Sequence, residues 1–119
     1  TDSGRLTLQH ECDTTPEAMA EHDGVILEDA KNVGAKSASG SAPIEAVVIC
    51  PCSGTTIGKL AAGISDNLVT RSAIVAMKER RKLIIVPREA PYATVHLENM
   101  AKLSSWNTII IPIIVKAIT

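Results

Sequence analysis

The chain has 119 residues, of which 45% are hydrophobic and 21% are charged, with twelve Lys and Arg against thirteen Asp and Glu. This composition is typical of one soluble globular domain and excludes an intrinsically disordered chain. No apolar run approaches the roughly 20 residues that cross a bilayer, so we expect no membrane partner and a cytoplasmic protein.

Aromatic, cysteine and charge content restrict the function further. Tyr92 and Trp106 are the only aromatic residues, which argues against a nucleic-acid partner that stacks its bases on aromatic rings. Cys12, Cys50 and Cys52 are odd in number and form no Cys-x-x-Cys pair, so we expect no disulfide framework and no metal site. Residues 46–119 carry nine bases and four acids, which favours an anionic ligand for this part of the chain.

The first 45 residues give mixed signals. Residues 5–11 alternate like a strand, Thr15-Pro16-Glu17 is typical of a helix start, and residues 25–27 resemble a short edge strand. Small residues at 34–43 predict a loop that is either a linker or faces a ligand.

Three short apolar runs follow, at residues 47–50, 83–86 and 109–111. Their β-branched residues do not alternate with polar ones, which predicts strands buried on both faces of a parallel sheet. Helical spacing at 55–63, 67–82 and 91–104 separates the runs. We expect Ser65 or Asp66 to cap the second helix, Pro91 to begin the third, and Asn107 to end it in the left-handed conformation. This order predicts a doubly wound, Rossmann-like α/β domain, a three-layer sandwich with a mainly parallel sheet.

Ligands of doubly wound sheets bind beyond the carboxyl ends of the strands, where two polar clusters fall. A hydroxyl-rich turn at residues 51–56 follows the first run, and Arg88 and Glu89 follow the second. The alternative interpretations are an ordinary helix cap and a surface ion pair.

Basic residues lie between these two clusters. Arg71 and Lys78 are seven residues apart on one predicted helix, so they share a face about 10 Å apart along the axis. Either they form a cationic pocket with Arg88, or they lie on a solvated face as Lys and Arg normally do. We interpret Arg80, Arg81 and Lys82 as a solvated helix end.

Several longer motifs follow one another along the chain: Ala-Ser-Gly-Ser at 38–41, Cys-Pro-Cys-Ser at 50–53, Gly-Ile-Ser-Asp-Asn-Leu-Val-Thr-Arg at 63–71, Lys-Glu-Arg-Arg at 78–81, Val-Pro-Arg-Glu-Ala-Pro at 86–91 and His-Leu-Glu-Asn-Met at 96–100. Taken in order, these segments closely resemble the UbiX/Pad family of flavin prenyltransferases, formerly labelled aromatic acid decarboxylases. The similarity runs from about residue 37 to residue 112.

The resemblance implies an enzyme that transfers a dimethylallyl group from dimethylallyl monophosphate to reduced FMN, and a UbiD-type decarboxylase that receives the prenylated FMN. It also implies a homo-oligomer, since family members assemble as dodecamers. The FMN contacts would come from Ser53, Gly54, Thr55, Thr56 and Arg88. The prenyl phosphate would be held by Ser39, Arg71 and Lys78, and catalysis would rest on Glu89, which manages proton transfers, together with Lys78.

The chain departs from the family pattern at several places. Residues 53–56 stand where family members often have Ser-Met-Lys-Thr, which removes a cation, and Trp106 takes a usually small position. Residues 115–118 stand where the family has Pro-Ala-Phe-Tyr, which removes a phosphate-binding hydroxyl. We expect residues 1–119 to be a single flavoprotein-type domain, incomplete at both ends.

Two alternative functions stay open. One is an FMN-dependent cysteine decarboxylase of the related superfamily, although neither His10 nor His22 lies in a recognisable context for that chemistry. The other is a non-catalytic flavin-binding module, which the missing Tyr favours.

Overall fold

A parallel sheet organises the chain, whose computed structural model describes residues 1–113. Its strands, in spatial order β1-β2-β3, are Ala46–Cys52, Lys82–Pro87 and Ile109–Ile110. The helices are α1 (Asp2–Cys12), α2 (Pro16–Met19), α3 (Gly54–Ala61), α4 (Leu68–Lys78) and α5 (Thr94–Ser105), with a short 3-10 helix at Lys36–Ala38. Helices α3 and α4 connect β1 to β2, and α5 connects β2 to β3, so each crossover joins neighbouring parallel strands.

One face of the sheet carries the hydrophobic core. Ile49 pairs with Ile85, and Ile85 pairs with Ile110, so these three side chains lie in one row on one face. They pack against apolar side chains of all three crossover helices: Ile57, Leu60 and Ala61 of α3, Ala73 and Ala76 of α4, and Met100 and Leu103 of α5. Helices α3, α4 and α5 therefore form one outer layer of the sandwich.

The opposite face is covered at the central strand β2 but exposed on β1 and β3 within residues 1–113. Val48 pairs with Ile84 and Ile84 with Ile109, yet Val48 is 58% exposed and Ile109 is 41% exposed. Burial on both faces, predicted for residues 47–50, is therefore wrong for β1, whereas β2 buries Leu83, Ile85 and Val86 as expected. The difference arises because the helices that the structure describes cover β1 on one face, and only β2 pairs with it.

The first 45 residues correct two predictions. Residues 5–11 are helical, because Thr1 caps α1 through the N–H of Gly4 and local backbone bonds satisfy a segment that buries no side chain. Residues 25–27 form no strand, and Ile26 is 86% exposed, since no strand pairs with this segment. The helix start at Thr15 is confirmed: its hydroxyl accepts a hydrogen bond from the N–H of Ala18.

The ends of the central helices differ from prediction by a few residues. Asn67, rather than Ser65 or Asp66, caps α4, because its side chain and that of Thr70 form a reciprocal capping box. The helix ends at Lys78, and Arg80 is left-handed, with φ 59°. Pro91 precedes α5 instead of beginning it, because the fixed φ of proline suits the connection equally well. Asn107 is left-handed, with φ 68°, as predicted.

Candidate functional site

The carboxyl edge of the sheet brings the two predicted clusters side by side. Strands β1 and β2 are parallel, and the register pairs Cys52 with Pro87. Ser53 and Arg88 therefore leave adjacent strands at the same level. The pairing is irregular between Ile49 and Cys52, so β1 bends just before the turn.

The hydroxyl-rich turn is the start of α3. Ser53 is its N-cap: the Oγ accepts a hydrogen bond from the N–H of Thr56 at 3.1 Å and lies 3.1 Å from the Oγ1 of Thr56. Ser53 and Thr55 are exposed, while Gly54 and Thr56 are partly buried. The cap interpretation is thus correct, and a capped helix start that opens to solvent is also a place where an anionic or polar ring edge binds.

His96 lies against this turn, which the sequence did not indicate. A Cβ built on Gly54 would lie only 2.4 Å from the His96 Nε2, so the imidazole fills the space that any other residue at position 54 would need. The Nδ1 of His96 is buried and has no hydrogen-bond partner within the described chain. In the sequence, the one sign of this contact is the glycine that ends the Cys-Pro-Cys-Ser-Gly run.

Arg88 and Glu89 are both exposed where β2 ends. The Arg88 guanidinium lies 3.4 Å from a carboxylate oxygen of Glu11, at the end of α1, instead of pairing with its neighbour Glu89. The predicted surface ion pair therefore exists with another partner. Both members are accessible, since the Arg88 and Glu11 side chains are 38% and 53% exposed.

Two of the residues predicted to bind the prenyl phosphate, Ser39 and Lys78, lie near the C-terminal end of α4. Lys78 ends this helix, and its ammonium lies 2.7 Å from the Glu79 carboxylate. Gly40 lies against the pair, because a Cβ built there would be 3.3 Å from the Lys78 Nζ and 2.7 Å from the Glu79 Oε1. Ser39 precedes Gly40 in this loop, so its backbone lies near the end of α4. The hydrogen bond from Lys78 lowers the pKa of the Glu79 carboxyl.

Arg81 corrects the interpretation of residues 80–82 as a solvated helix end. Its guanidinium is partly buried and donates hydrogen bonds to the carbonyls of Ser39, Gly40 and Ala42 at 3.3, 2.6 and 2.7 Å. Arg80, by contrast, is exposed. Helical periodicity did not show the difference, because the contact joins residues about 40 positions apart.

Within one copy of the chain, Lys78 is separated from Ser53 and Arg88 at the carboxyl edge of the sheet. Lys78 precedes the first residue of β2 by a short turn, whereas Arg88 follows its last residue, and a strand of six residues spans about 20 Å. Arg71 is exposed, about 10 Å back along α4. A cationic pocket of Arg71, Lys78 and Arg88 is therefore not formed by one copy.

The cysteines and the remaining titratable groups give no further centre in the described part of the chain. Burial raises the pKa of the Cys52 thiol to about 12, so it is a packing residue, while Cys50 is exposed. Within residues 1–113 no group of three or more His, Cys, Asp or Glu is placed to hold a metal ion. None of the helices described has the length and apolar character that a bilayer crossing requires.

Comparison with known proteins agrees with this geometry. Residues 7–119 match the sequence profile of the flavoprotein family. The chain belongs to the flavoprotein family. It is 44% identical over 114 residues to the flavin prenyltransferase UbiX of Chlamydia pneumoniae, an alignment that covers 92% of this chain and 59% of that protein. The alignments with curated relatives span between 37% and 61% of the length of those proteins.

Two solved structures have the same fold. A dodecameric FMN-dependent UbiX-like decarboxylase from Escherichia coli O157:H7 superposes with a TM-score of 0.85 at 36% identity, over 91% of this chain and 58% of that one. A UbiX protein in complex with FMN and dimethylallyl pyrophosphate superposes with a TM-score of 0.86 at 30% identity, over 92% and 58%. The parallel sheet, the Rossmann-like flavoprotein fold and the resemblance to the UbiX/Pad proteins are therefore confirmed. Residues 115–118, which replace the expected Tyr-containing segment, lie outside the described residues.

Proposed function

We propose that this chain binds FMN and belongs to an enzyme that transfers a dimethylallyl group from its phosphate ester to reduced FMN. The observation that carries the proposal is the open carboxyl edge, where the capped start of α3, Arg88 and Glu89 lie on adjacent strands. The likeness to UbiX flavin prenyltransferases supports the same reading.

The residues at this edge fit a flavin. Because Gly54 has no Cβ, the His96 imidazole can lie against the turn, and the Nδ1 of that ring is a buried polar atom without a partner in the described chain. Arg88 supplies an accessible cation for an anionic ligand. Residues 53–56 and Arg88 would therefore hold FMN, with the hydroxyls and N–H groups of the turn binding polar ring edges or phosphate.

Each predicted residue has a definable part in the reaction. The allylic C–O bond breaks, and the phosphate departs with the bonding electron pair. Lys78, Arg71 and the Ser39 hydroxyl would neutralise and hold that anion. Glu89 would move the proton that the substitution releases to the departing phosphate. FMN, when bound and reduced, supplies the electron-rich ring atom that accepts the dimethylallyl group.

We propose that the complete site forms between copies of the chain. In one copy Lys78 lies before the first residue of β2, whereas Arg88 and Glu89 follow its last residue, so a neighbouring copy would supply the Lys78 that acts with them. The dodecameric state of the E. coli relative supports a homo-oligomer. We further propose a cytoplasmic location and a UbiD-type decarboxylase as recipient of prenylated FMN; the three free cysteines suit a reducing compartment.

An anaerobic single-turnover assay tests the activity. The protein is mixed with reduced FMN and either dimethylallyl monophosphate or the diphosphate, and the flavin is analysed by mass spectrometry. We expect the flavin to gain one dimethylallyl group in place of a proton, with release of one phosphate or diphosphate. An unmodified flavin with either donor, in a protein shown to bind FMN, would leave only a flavin-binding module; release of CO2 from a carboxylic acid would support a decarboxylase.

Complementation tests the shared site. Lys78→Ala and Glu89→Gln should each be inactive alone, because each removes one of the two groups. Co-assembled from a mixture, the two variants should recover part of the activity, since some sites then combine an intact Lys78 with an intact Glu89. No recovery in mixed oligomers would contradict a site shared between copies.

A further inference from the structure

Arg81 ties together two distant parts of the chain. Its backbone N–H donates to the carbonyl of Ala76 at 2.8 Å, which closes the end of α4. Its guanidinium donates to three carbonyls of the loop at 39–42. Hydrogen bonds from a charged donor are about twice as strong as neutral ones, and the five-donor fork of Arg can serve several acceptors at once. One residue thus fixes the loop on the end of the helix.

This loop contains Ser39, one of the residues that we propose bind the donor phosphate. The Ser39 Oγ lies 3.0 Å from the Ser41 Oγ, so the hydroxyl is oriented within the loop. Gly40, the next residue, lies against the Lys78 ammonium. The carbonyls that Arg81 holds therefore belong to the segment that sets the distance between the Ser39 hydroxyl and Lys78.

We propose that Arg81 is a positioning residue for the donor phosphate. It does not touch the phosphate, because its guanidinium is occupied by the loop carbonyls, but it holds the Ser39 hydroxyl beside Lys78 so that both bind one phosphate group. The inference rests on the proposed function and adds a residue to it. Without Arg81, the loop loses three hydrogen bonds, and Ser39 loses its fixed position.

The test is a double-mutant cycle on donor binding. Isothermal titration with dimethylallyl monophosphate compares the wild type, Arg81→Gln, Ser39→Ala and the double variant. Each single change should weaken binding by about tenfold, the value of one charge-assisted hydrogen bond. The double variant should bind no more weakly than Arg81→Gln, because Ser39 contributes nothing once the loop is released.

Two controls separate positioning from general damage. Arg80→Gln makes the same chemical change one residue earlier, on an exposed side chain, and should keep the donor affinity within about twofold. FMN titration of Arg81→Gln should match the wild type, since the carbonyls that Arg81 holds belong to the loop at 39–42 and not to the turn at 53–56. Arg81→Lys keeps the charge but replaces the fork by one ammonium, so it should also weaken donor binding, and it carries the test if Arg81→Gln does not fold.

The outcomes distinguish this inference from the proposed function. If the wild type binds and transfers the prenyl group but Arg81→Gln, or a folded Arg81→Lys, binds the donor as tightly, Arg81 has no positioning role and the function stands. If the losses in Arg81→Gln and Ser39→Ala add, Arg81 acts independently of Ser39 and the inference is wrong. If the wild type neither binds nor transfers, both proposals fall.

Discussion

Replacing Gly54 by Ala should damage the start of α3 more than a methyl group would suggest. A Cβ at this position would lie 2.4 Å from the His96 Nε2 and 2.9 Å from two ring carbons. The imidazole is the rigid end of a side chain held on α5, which packs directly on α3. Ring and helix must therefore separate by about 1 Å to reach ordinary contact distance.

The same helix offers a matched control. Gly58 lies one turn later on α3 and also faces α5, but a Cβ there would meet only the Asn99 Nδ2, at 3.7 Å, which is ordinary contact. Gly58→Ala should therefore stabilise the protein by about 0.5 to 1 kcal/mol, through the lower conformational entropy of the unfolded chain. Gly54→Ala should instead destabilise it by about 1 to 3 kcal/mol, the usual cost of overpacking.

Thermal unfolding and FMN titration measure both effects. For a domain of this size, 1 kcal/mol shifts Tm by about 3 to 5 °C, so the two variants should move in opposite directions by a measurable amount. Gly54→Ala should also weaken FMN binding. Introduced into a His96→Ala protein, the same change should cost nothing, because the ring is gone. If Gly54→Ala is as stable as Gly58→Ala, the close packing of His96 on the turn is refuted.

Four further outcomes follow from the geometry. Glu89→Gln should lower the single-turnover rate of prenyl transfer by about 10²- to 10⁴-fold while FMN affinity is kept, and an unchanged rate would remove Glu89 from the mechanism. Lys78→Ala should raise the Kd for dimethylallyl monophosphate without changing that for FMN; equal donor affinity would contradict its role. Asn67→Ala removes the cap of α4 and should lower Tm by the equivalent of about 1 kcal/mol, measured by calorimetry. At pH 8, iodoacetamide should label Cys50 and spare Cys52 in the folded protein, because burial raises the pKa of Cys52 to about 12. Peptide mass spectrometry measures the labelling of each cysteine, and equal rates at both would show that Cys52 is not buried.

The sequence predicted those parts of the fold that depend on local patterns and buried runs. The apolar runs at 83–86 and 109–111 gave β2 and β3, and Asn107 gave the left-handed end of α5, because each signal is contained in a few adjacent residues. The segments at 5–11 and 25–27 failed for the opposite reason. Their alternation or apolar character suggests a strand only if a neighbouring strand exists, and no local pattern reports one.

In the candidate site, too, only the features that depend on adjacent residues could be predicted from the sequence. Strand ends are visible in the sequence, so the parallel register alone was enough to bring Ser53 and Arg88 together. The partners of those residues were not visible. Glu11 approaches Arg88 from 77 positions away, and the contacts of Arg81 span about 40 positions, so both depend on how the chain returns in space.

Two glycines show why spacing could not find the supporting residues. Gly54 and Gly40 each lie where a Cβ would collide with a titratable side chain. The side chain is His96 beside the turn at 53–56, and Glu79 beside Lys78 at the end of α4. A sequence pattern registers glycine as a turn former, yet neither residue has the positive φ that would require it for that purpose. Their common property is close approach, and its consequences differ. The Glu79 carboxylate is the free end of a flexible side chain and can move aside, whereas the His96 ring is confined between two helices. A side chain at position 54 should therefore disturb the flavin turn more than a side chain at position 40 disturbs the loop beside Lys78.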